Sequence, residues 1–285
     1  MKNITTRPNL LIAGFQRCGS SSLYHLLIKH PRIAGTAPKE TYALTDPGFQ
    51  NYPGQNAWGT PGFRWEPLYP EGTINKKASY FMEGSVCNFY QKNALEYIER
   101  YPDTKVIFIL RDPVERFVST YRYYGGSGVH LKPGTSIEEY YKGCINKEHK
   151  HEAMNFSLEH GRYVQFIGQW KNRLRDDNIL LIGMTHIIKN KENELAKVLN
   201  FLELEEIFTA DLPHKNRSDV ARFPEINRFL VEKFGGRNLS STILGKLYIK
   251  LTTKKPEKIN LSDTLKKDLT EYYKQEYDQL GEYYF

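Results

Sequence analysis

Cysteine is scarce: only Cys18, Cys87 and Cys144 occur in 285 residues. They are odd in number and far apart, so neither a disulfide framework nor a zinc-ligand spacing can be read from them, and free thiols without a metal site are expected. Long apolar runs are also missing. The early apolar stretch at residues 10–15 is too short for a signal-peptide core or a membrane span, which gives the expectation of a cytoplasmic protein without a membrane partner. No run of five or six like charges marks a nucleic-acid tail, and no internal repeat or low-complexity tract interrupts the chain. What is present is length enough for one large α/β domain, read as a single unit over residues 1–285. Forty Lys and Arg against 33 Asp and Glu leave a net charge of +7, an excess whose summed field favours anionic ligands.

Apolar periodicity predicts strand, loop and helix in succession. Residues 10–14 form a short apolar run ending in glycine, and residues 20–30 carry Leu23, Leu26 and Leu27 at helical spacing. Residues 105–110 are apolar enough for a strand buried on both faces, followed by Arg111-Asp112-Pro113 and a helix to about residue 123. A third strand is predicted at 178–183, with helices around 88–100, 161–175, 191–202, 224–234 and 262–280. Strands alternating with helices predict an α/β fold with a central parallel sheet flanked by helices on both faces. Residues 45–75 are rich in Gly, Pro and aromatics and are read as a long ordered loop serving as a functional lid, while 236–285 are read as a helical C-terminal cover. The tyrosines of that cover, Tyr272, Tyr273 and Tyr277, are assigned to packing.

Two segments carry chemistry. Gly14-Phe15-Gln16-Arg17-Cys18-Gly19-Ser20-Ser21 joins a buried strand to a helix N-terminus in a GxxxxG frame, where free backbone N–H groups and the helix dipole attract an anion. A P-loop kinase or GTPase would have lysine where Ser20 stands. Arg17 supplies a cation inside the loop, and Cys18, Gly19, Ser20, Ser21 and Ser22 surround the same anion, which suits a phosphosulfate held without a metal ion. The alternative is a serine-capped helix after a tight turn. The second segment runs from Arg111, at a strand's last residue, to Ser119, two turns along the next helix. There Asp112 would be a magnesium ligand in an ATP-dependent P-loop phosphotransferase, a reading opposed by the missing loop lysine.

Together the two segments resemble the 5'-phosphosulfate and 3'-phosphate elements of sulfotransferases that use 3'-phosphoadenosine-5'-phosphosulfate, PAPS. The stretch Arg111-Asp112-Pro113-Val114-Glu115-Arg116-Phe117-Val118-Ser119 is similar to that family's second element. Pro38-Lys39-Glu40 and the helix from Gly161 to Trp170 resemble its heparan-sulfate and carbohydrate branch. The resemblance implies a P-loop-like sulfotransferase fold, PAPS as co-substrate and 3'-phosphoadenosine-5'-phosphate, PAP, as product, with no metal. It implies that Arg111 and Ser119 hold the 3'-phosphate, that Arg17 acts on the leaving side, that Lys39 binds sulfate oxygens and that Glu40 is the general base. It also gives a basic closing loop from His214 to Arg222, with Arg222 a cofactor ligand. The helix bearing Tyr163, Phe166, Ile167 and Trp170 is assigned to packing.

One departure bears on the acceptor. The branch has E-K-[ST]-P after its middle strand, and this chain reads Glu83-Gly84-Ser85-Val86. The lost cation argues against a polyanionic sugar chain and points to a hydroxyl or amine on a small polar metabolite, a natural product or a carbohydrate precursor. No nucleic-acid partner is expected. A catalytically inactive nucleotide-binding protein of the same fold is the other reading.

Overall fold

Strand β1, Leu10–Gly14, is buried along its whole length, so it sits inside a sheet covered on both faces. The computed structural model describes residues 6–49, 56–74, 77–126, 130–205, 220–226, 228–229, 251–254 and 258–285. These fall into two compact units, one comprising Met1–Asp112, Tyr163–Lys215 and Glu276–Phe285 and the other Pro113–Arg162 and Asn216–Gln275.

The first unit is built on a five-stranded sheet in the order β2-β3-β1-β4-β5. Its other strands are β2, Ile33–Gly35, β3, Tyr80–Glu83, β4, Lys105–Leu110, and β5, Ile179–Gly183, and every neighbouring pair is parallel. Parallel pairing sets the carboxyl ends of all strands on one edge, and β1 and β4 lie side by side at its centre. The core draws on α1, Ser20–Leu27, α2, Lys92–Arg100, α6, Tyr163–Lys171, and α8, Lys191–Phe201, through residues such as Leu23, Ile98, Trp170 and Val198. The short helix α7, Met184–Lys189, follows β5.

The predicted parallel α/β architecture is therefore present. The two shortest strands of this parallel sheet, β2 and β3, have three and four residues and had no periodicity of their own to announce them. The helix expected over 161–175 is α6, and Tyr163, Phe166, Ile167 and Trp170 are all buried, as their packing assignment required. Aromatics of the 45–75 region also face inward. Trp58 and Trp65 lie 5.5 and 5.9 Å from the Tyr97 ring of α2 in edge contacts.

The second unit contains α3, Pro113–Gly126, α4, Ile137–Asn146, α5, Glu152–Asn155, and α9, Asp263–Tyr272. It also holds an antiparallel pair of β6, Val220–Ala221, and β7, Thr253–Lys254. Ser136 and Glu139 form a reciprocal capping box that starts α4. Arg116 is buried and donates to the carbonyl of Ser157. The helix expected over 262–280 is interrupted: α10, Lys274–Leu280, follows α9 after Tyr273, whose buried hydroxyl donates to the Leu158 carbonyl at 2.8 Å. Most of the helix expected at 224–234 lies outside the described residues. Among the described residues no helix is long and apolar enough to cross a membrane.

Candidate functional site

The turn between β1 and α1 is anchored by an aromatic plug. Phe15 is fully buried, its ring 4.3 Å from Tyr163, 4.6 Å from Phe89 and 5.5 Å from Phe108. Its N–H donates to Ile109 of β4. After this plug the backbone reverses through two left-handed residues, Arg17 at φ 67° and Gly19 at φ 91°. Gly19 meets that demand without a Cβ penalty, whereas Arg17 holds a conformation that non-glycine residues adopt rarely. Cys18 is buried, its thiol 3.7 Å from the Tyr163 hydroxyl and its N–H on the Phe15 carbonyl, so it holds the turn together. The first helical hydrogen bonds of α1 run from Ser22 and Leu23 to Gly19. The N–H groups of Ser20 and Ser21 thus belong to the first turn, at the positive end of the helix dipole, and that turn carries no acidic residue.

A second turn, after β2, delivers a charge pair to the same helix end. The Lys39 ammonium donates to Ser20 Oγ at 3.3 Å and to Glu40 Oε1 at 2.9 Å, and the lysine side chain is only 11% exposed. The other oxygen of Glu40 accepts from the Tyr42 hydroxyl at 3.0 Å. Tyr42 itself has φ 56°. Sequence reasoning passed over this tyrosine, because an aromatic in a polar turn has no signal until its hydroxyl is seen on the carboxylate.

What holds this turn is Glu83, at the end of β3. Its carboxylate is buried and accepts from Thr41 N at 3.2 Å, Thr41 Oγ1 at 3.0 Å, Ser85 N at 3.0 Å and Asn88 Nδ2 at 2.8 Å, with the Ser85 hydroxyl also donating. Ser85 Oγ in turn accepts from Tyr42 N. Burial pushes the Glu83 carboxyl up from its ordinary value, and the donors pull against that shift. Beside it, Gly84 donates its N–H to the Lys39 carbonyl. A Cβ on Gly84 would stand 2.7 Å from Tyr24 Cδ2 and 3.0 Å from Lys39 Cγ. The glycine that replaces the expected lysine is thus the space in which Tyr24 and Lys39 lie.

The third component is the tip of β4. Arg111 Nη1 donates to the Arg17 carbonyl at 3.4 Å, so the strand tip and the anion turn share one edge of the sheet. The Arg111 carbonyl accepts from Tyr163 Oη at 3.0 Å, and Asp112 Oδ2 accepts from Tyr277 Oη at 2.8 Å. Tyr277 therefore does more than the packing assigned to it.

Arg17, Gly19, Ser20, Ser21, Ser22, Lys39, Glu40 and Arg111 all belong to the first unit. Ser119, buried on α3, and Arg222, exposed after β6, belong to the second. The basic segment 214–218 lies outside the described residues.

A left-handed glycine turn leading into a serine-rich helix start, at the carboxyl edge of a parallel sheet, defines an α/β protein whose turn has the geometry that attracts anionic groups. A family model described as a sulfotransferase domain matches residues 7–215, and the chain belongs to that family. It is 22% identical to mouse (Mus musculus) carbohydrate sulfotransferase 15 over 69% of this chain. It is 26% identical to the Xenopus laevis bifunctional heparan sulfate N-deacetylase/N-sulfotransferase 1 over 68% of this chain. The chain spans 44% and 22% of those proteins' lengths. The crystal structure of a sulfotransferase from Alicyclobacillus acidocaldarius shares the fold, with a TM-score of 0.59 at 21% identity over 85% of this chain and 96% of the other.

Proposed function

We propose that the protein transfers the sulfuryl group of PAPS to a hydroxyl or amine of a small polar molecule or a carbohydrate, with Glu40 as the general base. The observation that carries this reading is the double role of Lys39, bonded at once to Ser20 at the start of α1 and to Glu40. A carboxylate is thereby held beside an anion-attracting helix end, as an in-line transfer needs.

The residues fit such a donor. Gly19 leaves the turn without a Cβ at its left-handed corner, the first-turn N–H groups and Lys39 offer positive character, and Arg17 adds a guanidinium to the turn. PAPS supplies an activated sulfuryl group and a phosphate leaving group. The acceptor oxygen or nitrogen forms the new bond to sulfur, the bond from sulfur to the bridging phosphate oxygen breaks, and the acceptor proton goes to Glu40. Each oxygen of Glu40 carries one donor, Lys39 or Tyr42, which fixes the carboxylate plane and leaves a lone pair for that proton. Lys39 and Arg17 offset charge on the sulfate and leaving-group oxygens. Arg111, against the Arg17 carbonyl, holds the 3'-phosphate at the other end of the nucleotide.

The test is transfer of radiolabelled sulfate from PAPS to a panel of hydroxyl and amine acceptors, run beside calorimetry with PAP. Labelled product together with PAP binding supports the reading. PAP binding with no transfer to any acceptor would favour an inactive nucleotide-binding protein, and magnesium-dependent turnover of ATP would favour a phosphotransferase.

A further inference from the structure

A line of aromatic rings leads away from Glu40. The ring of Tyr42, whose hydroxyl touches that carboxylate, stacks on Phe49 at a centroid distance of 6.3 Å and an interplanar angle of 29°. Phe49 lies 6.2 Å from Tyr90, Tyr90 lies 4.6 Å from Phe89, and Phe89 lies 4.6 Å from Phe15. The path thus runs from the carboxylate back to the root of the anion turn. Phe89 and Phe15 are fully buried, but Tyr42, Phe49 and Tyr90 are each only half-buried.

These three rings are held in place. Phe49 ends a tight turn that its N–H closes on the Asp46 carbonyl, with Gly48 at φ 82°. Asp46 is clamped to the start of α2, its carboxylate accepting from Lys92 N at 3.0 Å and Asn93 N at 2.8 Å. Its own N–H donates to Gln91 Oε1 at 2.7 Å. Thr45 Oγ1 donates to the Tyr42 carbonyl at 2.7 Å, tying the two aromatic positions together. Helix capping thus fixes a partly exposed aromatic surface beside a base, an arrangement that costs little ordering on binding.

We propose that Tyr42, Phe49 and Tyr90 form the acceptor-binding wall, and that the acceptor is an uncharged molecule carrying its hydroxyl on a ring with a flat apolar face. The proposal rests on the sulfuryl-transfer reading and narrows its substrate. The wall is neutral, the carboxylates nearest along the chain are Glu40 and Asp46, and position 84 carries no side chain. An acidic acceptor finds no cation on this wall, since the nearby Lys39 ammonium is held by Glu40 and Ser20, whereas a flat apolar face gains ring contact. Such a face belongs either to an aromatic ring or to the CH side of a pyranose.

The experiment uses the full chain with radiolabelled PAPS and three probe acceptors: 2-naphthol, methyl β-D-galactopyranoside and an anionic hyaluronan tetrasaccharide. At least one uncharged probe is expected to be sulfated in preference to the tetrasaccharide, and the one preferred tells the aromatic face from the sugar face. Phe49→Ala is expected to raise the KM of that acceptor about tenfold, the scale of one lost ring contact, with the KM of PAPS unchanged. Phe49→Leu, which keeps apolar bulk in the turn, should fall between. An unchanged acceptor KM in both variants, a preference for the tetrasaccharide, or no transfer to any probe by a protein that binds PAP would overturn the wall. Failure of the wild-type chain to bind PAP would instead overturn the sulfuryl-transfer reading beneath it.

Discussion

The turn after β1 and the turn after β2 bring charged side chains to the same helix end, yet they are held by opposite means. The first is fastened by packing: Phe15 fills an aromatic socket of Phe89, Phe108 and Tyr163, and Gly19 takes the corner. The second is fastened by a buried carboxylate, Glu83, whose oxygens gather donors from Thr41, Ser85 and Asn88. Apolar anchoring tolerates volume-conserving change, whereas a buried polar hub fails once a partner is removed and its donors are left unpaired. The anion turn should therefore be the more robust half of the site and the Lys39–Glu40 turn the more fragile, so that chemistry is easier to lose than nucleotide binding.

Three substitutions probe that contrast. Glu40→Gln is expected to lower kcat about a hundredfold, the usual worth of a positioned base, while the calorimetric affinity for PAP stays near the wild-type value. A parallel loss of PAP binding would mean that the two turns are not separable. Glu83→Ala should lower the unfolding free energy in urea by about 3 kcal/mol, because several buried donors lose their acceptor. Removing an exposed carboxylate would not do this, so an unchanged midpoint would contradict the hub. Gly84→Ala should have the smallest effect, about a tenfold loss of kcat from one displaced charge-assisted hydrogen bond. Tyr24 is buried with its hydroxyl on the Thr36 carbonyl, so Lys39 is the group that must yield to the added methyl. Near-normal turnover in Gly84→Ala would remove Lys39 from the chemistry.

The same contrast accounts for what was legible in the sequence. The anion turn is local: a glycine frame, an apolar strand before it and helical spacing after it lie within one short segment, and so do Arg111 and the strand it follows. The parallel sheet followed from the apolar runs at β1, β4 and β5. The Glu83 hub is assembled from positions 41, 83, 85 and 88, and no pattern along the chain links them. Tyr42 was invisible for the same reason. The C-terminal segment reads as one helix from its periodicity, but it divides at Tyr273, at φ −100° and ψ 15°, where the buried ring pairs its hydroxyl with the Leu158 carbonyl, a long-range contact that local periodicity does not carry. The departure at Gly84 could be noticed in the sequence, but its consequence needed the neighbours Tyr24 and Lys39.

The measurement closest to the central claim is calorimetry of PAP and of its 3'-dephosphorylated analogue, adenosine 5'-phosphate, on the wild-type chain and on Arg111→Ala. Two linked anion sites require that the wild-type chain bind PAP much more tightly than the analogue and that the substitution erase most of the difference by weakening PAP alone. No heat with PAP, or equal weakening of both ligands, would contradict it.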